Sequence, residues 1–157
     1  MTTMSVHEAT IEWRRLTPDF EYATYDRGHW LEFGADIRVP GTAAPANIPA
    51  TSPKSAGVDP EQAFVASLSS CHMLWFLHLA CTAKLVVDHY VDRAAGVLER
   101  NAEGKMAMTR VTLKPAVKFS GKQPTEAEVR TLHERAHEKC FIANSVKTAV
   151  AVEPEFD

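Results

Sequence analysis

Three cysteines carry the clearest chemical potential in this sequence, at positions 71, 81 and 140. An odd count without a Cys-x-x-Cys pair argues against a secreted disulfide framework and against a structural zinc site. Cys71 and Cys81 lie ten residues apart in one predicted helix, about 15 Å along its axis and beyond the reach of a disulfide. Cys140 can approach Cys71 only if two predicted helices pack together. The thiols are candidates for redox chemistry, with simple packing as the alternative role.

Cys71 stands in the middle of a long apolar run, where the ordinary role of a cysteine is that of a small buried hydrophobe. Burial disfavours a thiolate, and a position in mid-helix lacks the favourable dipole of a helix N-terminus. A reactive Cys71 therefore needs a cation supplied by another part of the protein. His72 is poorly placed as its base, because adjacent helical side chains point about 100° apart.

A second candidate site lies in the later helix, where His133, Glu134 and His137 spell His-Glu-x-x-His. In this pattern two histidines one turn apart bind zinc and the glutamate activates water. A third protein ligand is not evident, since only 20 residues follow His137 and no extension with a glycine and a third histidine is present. A zinc-dependent hydrolase remains an alternative, but we predict no metal and no cofactor.

Composition limits the partners and the location of the protein. The 157 residues suit one domain, which we predict to span residues 1–157. A net charge of −3 comes from 17 basic and 20 acidic residues spread along the chain, so we predict no nucleic-acid partner. The N-terminus carries acids and a histidine where a signal peptide needs a basic start and an apolar run, and we therefore expect a cytoplasmic protein.

A long helix must position Cys71. Asp59, Pro60 and Gln62 form a helix start with a capping box, and the helix should run to about Lys84. No residue between Glu61 and Lys84 is formally charged, so we expect the helix to be buried nearly all round. The run also meets the crude length test for a membrane span, but its serines and histidines disfavour that interpretation, and we predict no membrane partner.

Strands flank two helices in the predicted order of elements. Alternating residues between Ser5 and Phe33 predict two strands separated by a turn at residues 17–19, with residues 20–24 and 30–31 in the second, and the prolines and glycines of residues 40–58 predict a long loop. Residues 85–119 predict two or three strands. A second, amphipathic helix begins at Thr125 with Glu128 as its capping-box partner, and VKTAVAV predicts a last strand. Without a regular β-α-β alternation, this order indicates an α+β fold.

Two segments give the sequence a specific resemblance. The run DPEQAFVASLSSCH (59–72) and the run HERAHEKCFIANSV (133–146) resemble the OsmC/Ohr family of small thiol-dependent peroxidases, as do the stretch around Tyr25, Arg27 and His29 and the order of elements. The resemblance implies antiparallel sheets around a long buried central helix, in an intertwined homodimer. It also implies that Cys71 is the peroxidatic thiol and that Cys140 is the resolving thiol.

The resemblance further implies a function and two supporting residues. The protein would reduce organic hydroperoxides, with hydrogen peroxide as a further candidate, form a Cys71–Cys140 disulfide, and be recycled by an external thiol or dithiol. Arg27 would stabilise the thiolate, and Glu61 would hold the guanidinium by a two-pronged contact. Because Glu61 is ten residues before Cys71 in one helix, about 15 Å away, either Arg27 spans the gap or a second chain supplies these groups. The alternative outside catalysis is a binding protein for a small apolar ligand.

Overall fold

The computed structural model describes residues 4–156, which fall into two compact units that divide between Ala63 and Phe64. The first unit contains one antiparallel sheet, in which the second strand pairs with both others. Its strands are β1 (Thr10–Glu12), β2 (His29–Phe33) and β3 (Ile37–Gly41). A short 3-10 helix, Pro45–Asn47, follows in the connection to the first long helix.

The structure corrects the predicted strands of the first unit. β1 and β2 lie within the region predicted to hold two strands, but residues 22–24, expected in the second strand, form a turn. The strand β3 was not expected, and it reaches Gly41, inside the segment predicted to be loop. A tight turn joins β2 to β3, with Gly34 at φ 58° and Asp36 at φ 68°. Glycine and aspartate tolerate this left-handed backbone, which closes the hairpin.

The second unit contains two sheets and most of the helical residues. Its strands are β4 (Val86–Asp92), β5 (Ala95–Arg100), β6 (Met106–Leu113), β7 (Pro115–Ser120) and β8 (Ala149–Val152). β4 pairs with β7 and β5 with β6, both antiparallel, while β8 joins β6 in parallel. The predicted α+β class is confirmed, and residues 85–119 hold four strands where two or three were expected.

The helix α1 spans Pro60–Thr82 and begins as predicted. The N–H of Gln62 donates to Asp59 Oδ1 at 2.7 Å, and the N–H of Asp59 donates to Gln62 Oε1 at 3.2 Å. The two bonds close a capping box that satisfies helix donors otherwise left without partners. The sequence thus fixes the start of the element that carries Cys71.

The prediction that α1 is buried nearly all round is wrong for the single chain. Only one side of the helix is buried, through Leu68, His72, Phe76, Leu79 and Ala80. The opposite side is exposed although it carries no charge, and we call it the uncharged face of α1. Its members recur at helical spacing: Ala66, Ser67, Ser70, Leu74, His78 and Cys81. The absence of charge predicted an internal face, yet none of residues 4–156 buries it.

Among the described residues, α1 is also the helix long and apolar enough to span a membrane. Its buried side chains instead pack into protein cores. Phe76, Leu79 and Ala80 pack with residues of a second helix, and Leu68 packs with Val111 and Leu113 of β6. One side of α1 thus lies in the protein core.

The second helix, α2, spans Glu126–Lys139 and follows the amphipathic pattern of its sequence. Thr125 caps it, with Glu128 completing the predicted capping box. Val129, Leu132 and Ala136 form its buried stripe and join the core that contains the buried side of α1. The packing of α1 against α2 brings together the two segments that carry Cys71 and Cys140.

Candidate active site

Cys71 and Cys140 lie side by side within the second unit. The Cys140 side chain lies close to that of Cys71, and both are free thiols, as is Cys81. Cys140 is the C-cap residue of α2, where its N–H donates to the carbonyl oxygen of His137 at 3.2 Å. Its Sγ also accepts a hydrogen bond from the N–H of Ala143 at 3.4 Å. Two thiols this close need only a small movement to form a disulfide.

The two thiols differ in access to solvent. Cys140 is 1% exposed, whereas Cys71 is half-buried at the border between the buried side and the uncharged face of α1. Burial raises the pKa of the Cys140 thiol to about 11, with the hydrogen bond and charge of Cys71 as smaller contributions and the N–H of Ala143 acting in the opposite sense. Cys140 is therefore protonated at neutral pH, and Cys71 is the thiol that an external molecule can reach.

A buried pair of imidazoles connects the two helices close to the thiols. His72 Nε2 and His133 Nδ1 are 2.9 Å apart, and the two side chains are 1% and 2% exposed. The rings are nearly parallel, and His133 also stacks on Phe76 with 4.2 Å between ring centroids. The sequence indicated only that His72 is poorly placed as a base for Cys71, because spacing does not reveal which residues of α1 and α2 meet.

The pair is uncharged at neutral pH because burial disfavours imidazolium. Burial lowers the pKa of His72 to about 4, with the charge of His137 as a second cause. Burial also lowers the pKa of His133 to about 3, with the charge of His72 as the second cause. One nitrogen of the pair can then donate and the other accept.

The same geometry disfavours a zinc hydrolase. His133 points inward to His72, while Glu134 is exposed to solvent. Within residues 4–156, no group of three or more histidine, cysteine, aspartate or glutamate side chains is placed to hold a metal ion. The His-Glu-x-x-His pattern arises here from a buried histidine and the polar edge of an amphipathic helix.

Arg27 belongs to the first unit, where its guanidinium is 8% exposed and held on several sides. Nη1 donates to the carbonyl oxygen of Tyr25 and to Ser52 Oγ, both at 2.9 Å, and Nη2 donates to the carbonyl oxygen of Tyr22 at 2.8 Å. The Tyr25 ring lies below the guanidinium carbon, 3.9 Å from it. These neutral partners fix the orientation of Arg27 and leave its positive charge uncompensated.

Glu61 faces the same cavity as Arg27, but the expected two-pronged contact between them is not formed in this structure. Among residues 4–156, the guanidinium has only the neutral partners named above. Glu61 Oε1 instead accepts from Asn47 Nδ2 at 3.4 Å, and its buried Oε2 has no partner within the described residues. Ser52 and the tyrosine carbonyls therefore take the place that the sequence assigned to Glu61.

The cavity that Arg27 and Glu61 share has a volume of about 540 Å³ and belongs wholly to the first unit. Three aromatic rings form much of its wall, with Phe20 5.6 Å from Trp13 and 5.1 Å from Tyr25 between centroids. It combines an apolar wall with one cation and one unsatisfied carboxylate oxygen. Such a cavity suits a molecule with an apolar body and a small polar end.

Comparison with known proteins gives a consistent result. The family model described as OsmC-like protein matches residues 52–155. An OsmC-like protein of unknown function from Vibrio cholerae is 44% identical, with a TM-score of 0.92 over 97% of this chain and 100% of that chain. No curated protein matches the chain.

More distant structures share the fold. An organic hydroperoxide resistance protein of Bacillus subtilis is 17% identical, with a TM-score of 0.69 over 96% of this chain and 98% of that chain. One from Elizabethkingia anophelis is also 17% identical, with a TM-score of 0.71 over 98% of this chain and 96% of that chain. At this identity the likeness concerns the fold alone.

Proposed function

The chain belongs to the OsmC-like family, and from that premise we propose that it is a thiol-dependent peroxidase with Cys71 as its peroxidatic residue and Cys140 as its resolving residue. The names of two structural neighbours, which are organic hydroperoxide resistance proteins, support organic hydroperoxides as the substrate class. Hydrogen peroxide is a further candidate substrate. The proposed location is the cytoplasm, where reducing thiols are available.

The observation that carries the proposal is the proximity of one accessible and one sealed thiol. A peroxide can reach the half-buried Cys71, and the neighbouring Cys140 is protected from direct oxidation by its burial. This asymmetry supports the proposed order of events, in which the more accessible thiol reacts first and the buried thiol reacts only with it. Cys81, exposed on the same helix, has no corresponding partner among the described residues.

The proposed cycle has three balanced steps. The Cys71 thiolate attacks an oxygen of ROOH and breaks the O–O bond, which gives a sulfenic acid and, with one proton, the alcohol ROH. The Cys140 thiol then attacks the Cys71 sulfur, forming the disulfide and releasing water. An external dithiol reduces that disulfide by thiol exchange and becomes a disulfide itself, which restores both cysteines.

Arg27 and Glu61 have supporting roles in this proposal. Arg27 would favour the Cys71 thiolate and the departing oxygen, since its charge is uncompensated by any carboxylate among the described residues. Glu61, with a buried oxygen lacking a partner, would engage the guanidinium or the substrate as the site closes. In keeping with the family resemblance, we propose that a second copy of the chain supplies Arg27 to a given Cys71.

A homodimer completes the proposal. The uncharged face of α1 borders Cys71 and exposes Leu74 at 60% of its surface. Exposed apolar surface of this kind marks an interface, and a second copy would also enclose the reactive thiol. Because of the family resemblance, we also propose that the two copies are intertwined.

The test is consumption of cumene hydroperoxide with a dithiol as reductant. Cys71→Ser should lower turnover at least about thousandfold, because it removes the nucleophile on which the cycle depends. Cys81→Ser is the matched control, since it alters a thiol in the same helix and should leave the rate within about twofold. Undiminished turnover in Cys71→Ser would end the proposal.

A second candidate rests on the aromatic cavity of the first unit, whose size suits a small apolar ligand. In that case the protein would bind such a ligand without catalysis. Native mass spectrometry of the purified protein would then show a bound apolar molecule, and hydroperoxide would leave its thiols unchanged. Rapid oxidation of Cys71 would exclude this candidate.

A further inference from the structure

The buried histidine pair is a strongly shielded polar group that the proposed cycle does not use. His72 and His133 bond across the interface between α1 and α2 at 2.9 Å. The other contacts between the two helices are mainly apolar, and Lys139 Nζ also lies 5.5 Å from the centre of the Trp75 ring. Apolar packing tolerates small shifts of one helix along another, whereas a hydrogen bond selects one register.

The pair is placed where it can control the two sulfur atoms. His72 directly follows Cys71, and His133 precedes Cys140 by seven residues along α2. Seven residues are two turns, so His133 and Cys140 lie on the same stripe of that helix. A slip or rotation that broke the imidazole bond would therefore also separate Cys140 from Cys71.

We infer that His72 and His133 are positioning residues that hold Cys140 against Cys71 and so promote formation of the disulfide between them. The inference rests on the proposed function for its biological meaning. In the step that it affects, the Cys140 thiol attacks the Cys71 sulfenic acid, a sulfur–sulfur bond replaces the sulfur–oxygen bond, and water leaves. Neither imidazole touches the peroxide, so the first oxidation of Cys71 does not depend on the pair.

The pair can hold this register because of its chemistry. Neutral imidazoles present one N–H and one lone pair to each other, and the lowered pKa values keep both in that state through the neutral range. Stacking of His133 on Phe76 fixes its ring plane, so the acceptor or donor at Nδ1 points in one direction. An apolar side chain at either position would keep the core filled but would remove the directional bond.

The experiment measures the equilibrium between the protein dithiol and oxidised dithiothreitol, without any peroxide. Four variants are compared with the wild type: His133→Leu, His133→Asn, the double variant His72→Leu with His133→Leu, and His78→Leu. Asparagine can place a hydrogen-bonding atom near the position of Nδ1. His78, exposed on α1, is the matched histidine control.

The positioning role of the histidine pair predicts a specific pattern of equilibrium constants. His133→Leu and the double variant should lower the equilibrium constant for the Cys71–Cys140 disulfide by about tenfold, while His133→Asn and His78→Leu should stay within about twofold. The double variant removes both partners together and is expected to fold with near wild-type stability, as urea unfolding would verify. It therefore tests the positioning role of the pair even if His133→Leu alone does not fold.

Two results would overturn the inference. One is a double variant that folds and forms the disulfide with the wild-type equilibrium constant. The other is a His133→Asn variant that loses as much as His133→Leu, which would assign the effect to ring packing. If the double variant shifts the disulfide equilibrium but the wild type has no peroxidase activity, only the proposed function is wrong. If the wild type is an active peroxidase but the equilibrium does not shift, only the positioning role of the histidine pair is wrong.

Discussion

The two helices each place a cysteine at one centre, but their outer faces differ. The exposed positions of α2 carry charges, including Glu126, Glu134, Arg135 and Lys139. The exposed positions of α1 carry none. The face of α2 is suited to water, and Cys140 beneath it is sealed. The face of α1 is suited to another protein surface, and Cys71 at its border is accessible. The accessible thiol thus lies on the helix whose outer face is uncharged, and the buried thiol lies at the end of the helix whose outer face is charged.

After the loss of Cys71 itself, the largest expected effect comes from removing the buried thiol at the end of α2. Cys140→Ser should leave the first oxidation of Cys71 intact but lower dithiol-linked turnover by about a hundredfold, because an external thiol must replace an intramolecular one. Stopped-flow oxidation and steady-state turnover measure the two steps separately. Mass spectrometry should also show sulfinic Cys71 accumulating in this variant. Unchanged turnover would mean that the two helices do not share one redox site.

Acid should lower the free energy of unfolding through the His72–His133 pair that joins the two helices. Below the ordinary histidine pKa of 6.5 the unfolded chain binds protons at His72 and His133, whereas the folded protein, with pKa values lowered to about 4 and about 3, does not. The free energy of unfolding should therefore fall as pH decreases from about 6.5 to about 4, by about 2 kcal/mol per pH unit.

Urea unfolding at a series of pH values checks this prediction. The double variant His72→Leu with His133→Leu is the control, since it retains the titrating carboxylates but lacks the pair. It should show a clearly smaller slope than the wild type in this range. Equal slopes would show that the buried imidazoles do not contribute to the acid sensitivity.

The smallest effect concerns the face of α1. Leu74→Lys places a charge where a second copy is proposed to pack, and it should weaken dimerisation by about tenfold, because the lysine loses hydration or forces the surfaces apart. Analytical ultracentrifugation measures the dissociation constant. Glu134→Lys, on the charged face of α2, should leave it unchanged. A monomeric wild type, or equal effects of both substitutions, would contradict the distinction between the two faces.

The parts of the fold that local chemistry determines could be predicted from the sequence. Asp59 with Gln62 and Thr125 with Glu128 mark both helix starts, because a capping box needs only residues three apart. The hairpin at Gly34 was missed although its turn residues suit positive φ. Residues 22–24, expected in the second strand, form a turn because alternation alone does not ensure a pairing partner.

The candidate site could be predicted only in part. The resemblance selected Cys71 and Cys140, and the structure places their side chains close together. The contact between His72 and His133 depends on the register of two helices, which sequence spacing does not determine. The lack of charge in α1 did not reveal that its outer face is exposed in a single chain. The partners of Arg27 are backbone carbonyls and Ser52, which carry no distinctive sequence signal.

The most direct measurement is intact mass followed by peptide mapping after one equivalent of organic hydroperoxide. The account predicts a protein that has lost two hydrogen atoms and contains one crosslink, between the Cys71 and Cys140 peptides, with Cys81 still reduced. A protein whose thiols are unchanged, or whose crosslink involves Cys81 instead, would contradict the central claim that α1 and α2 form one redox site.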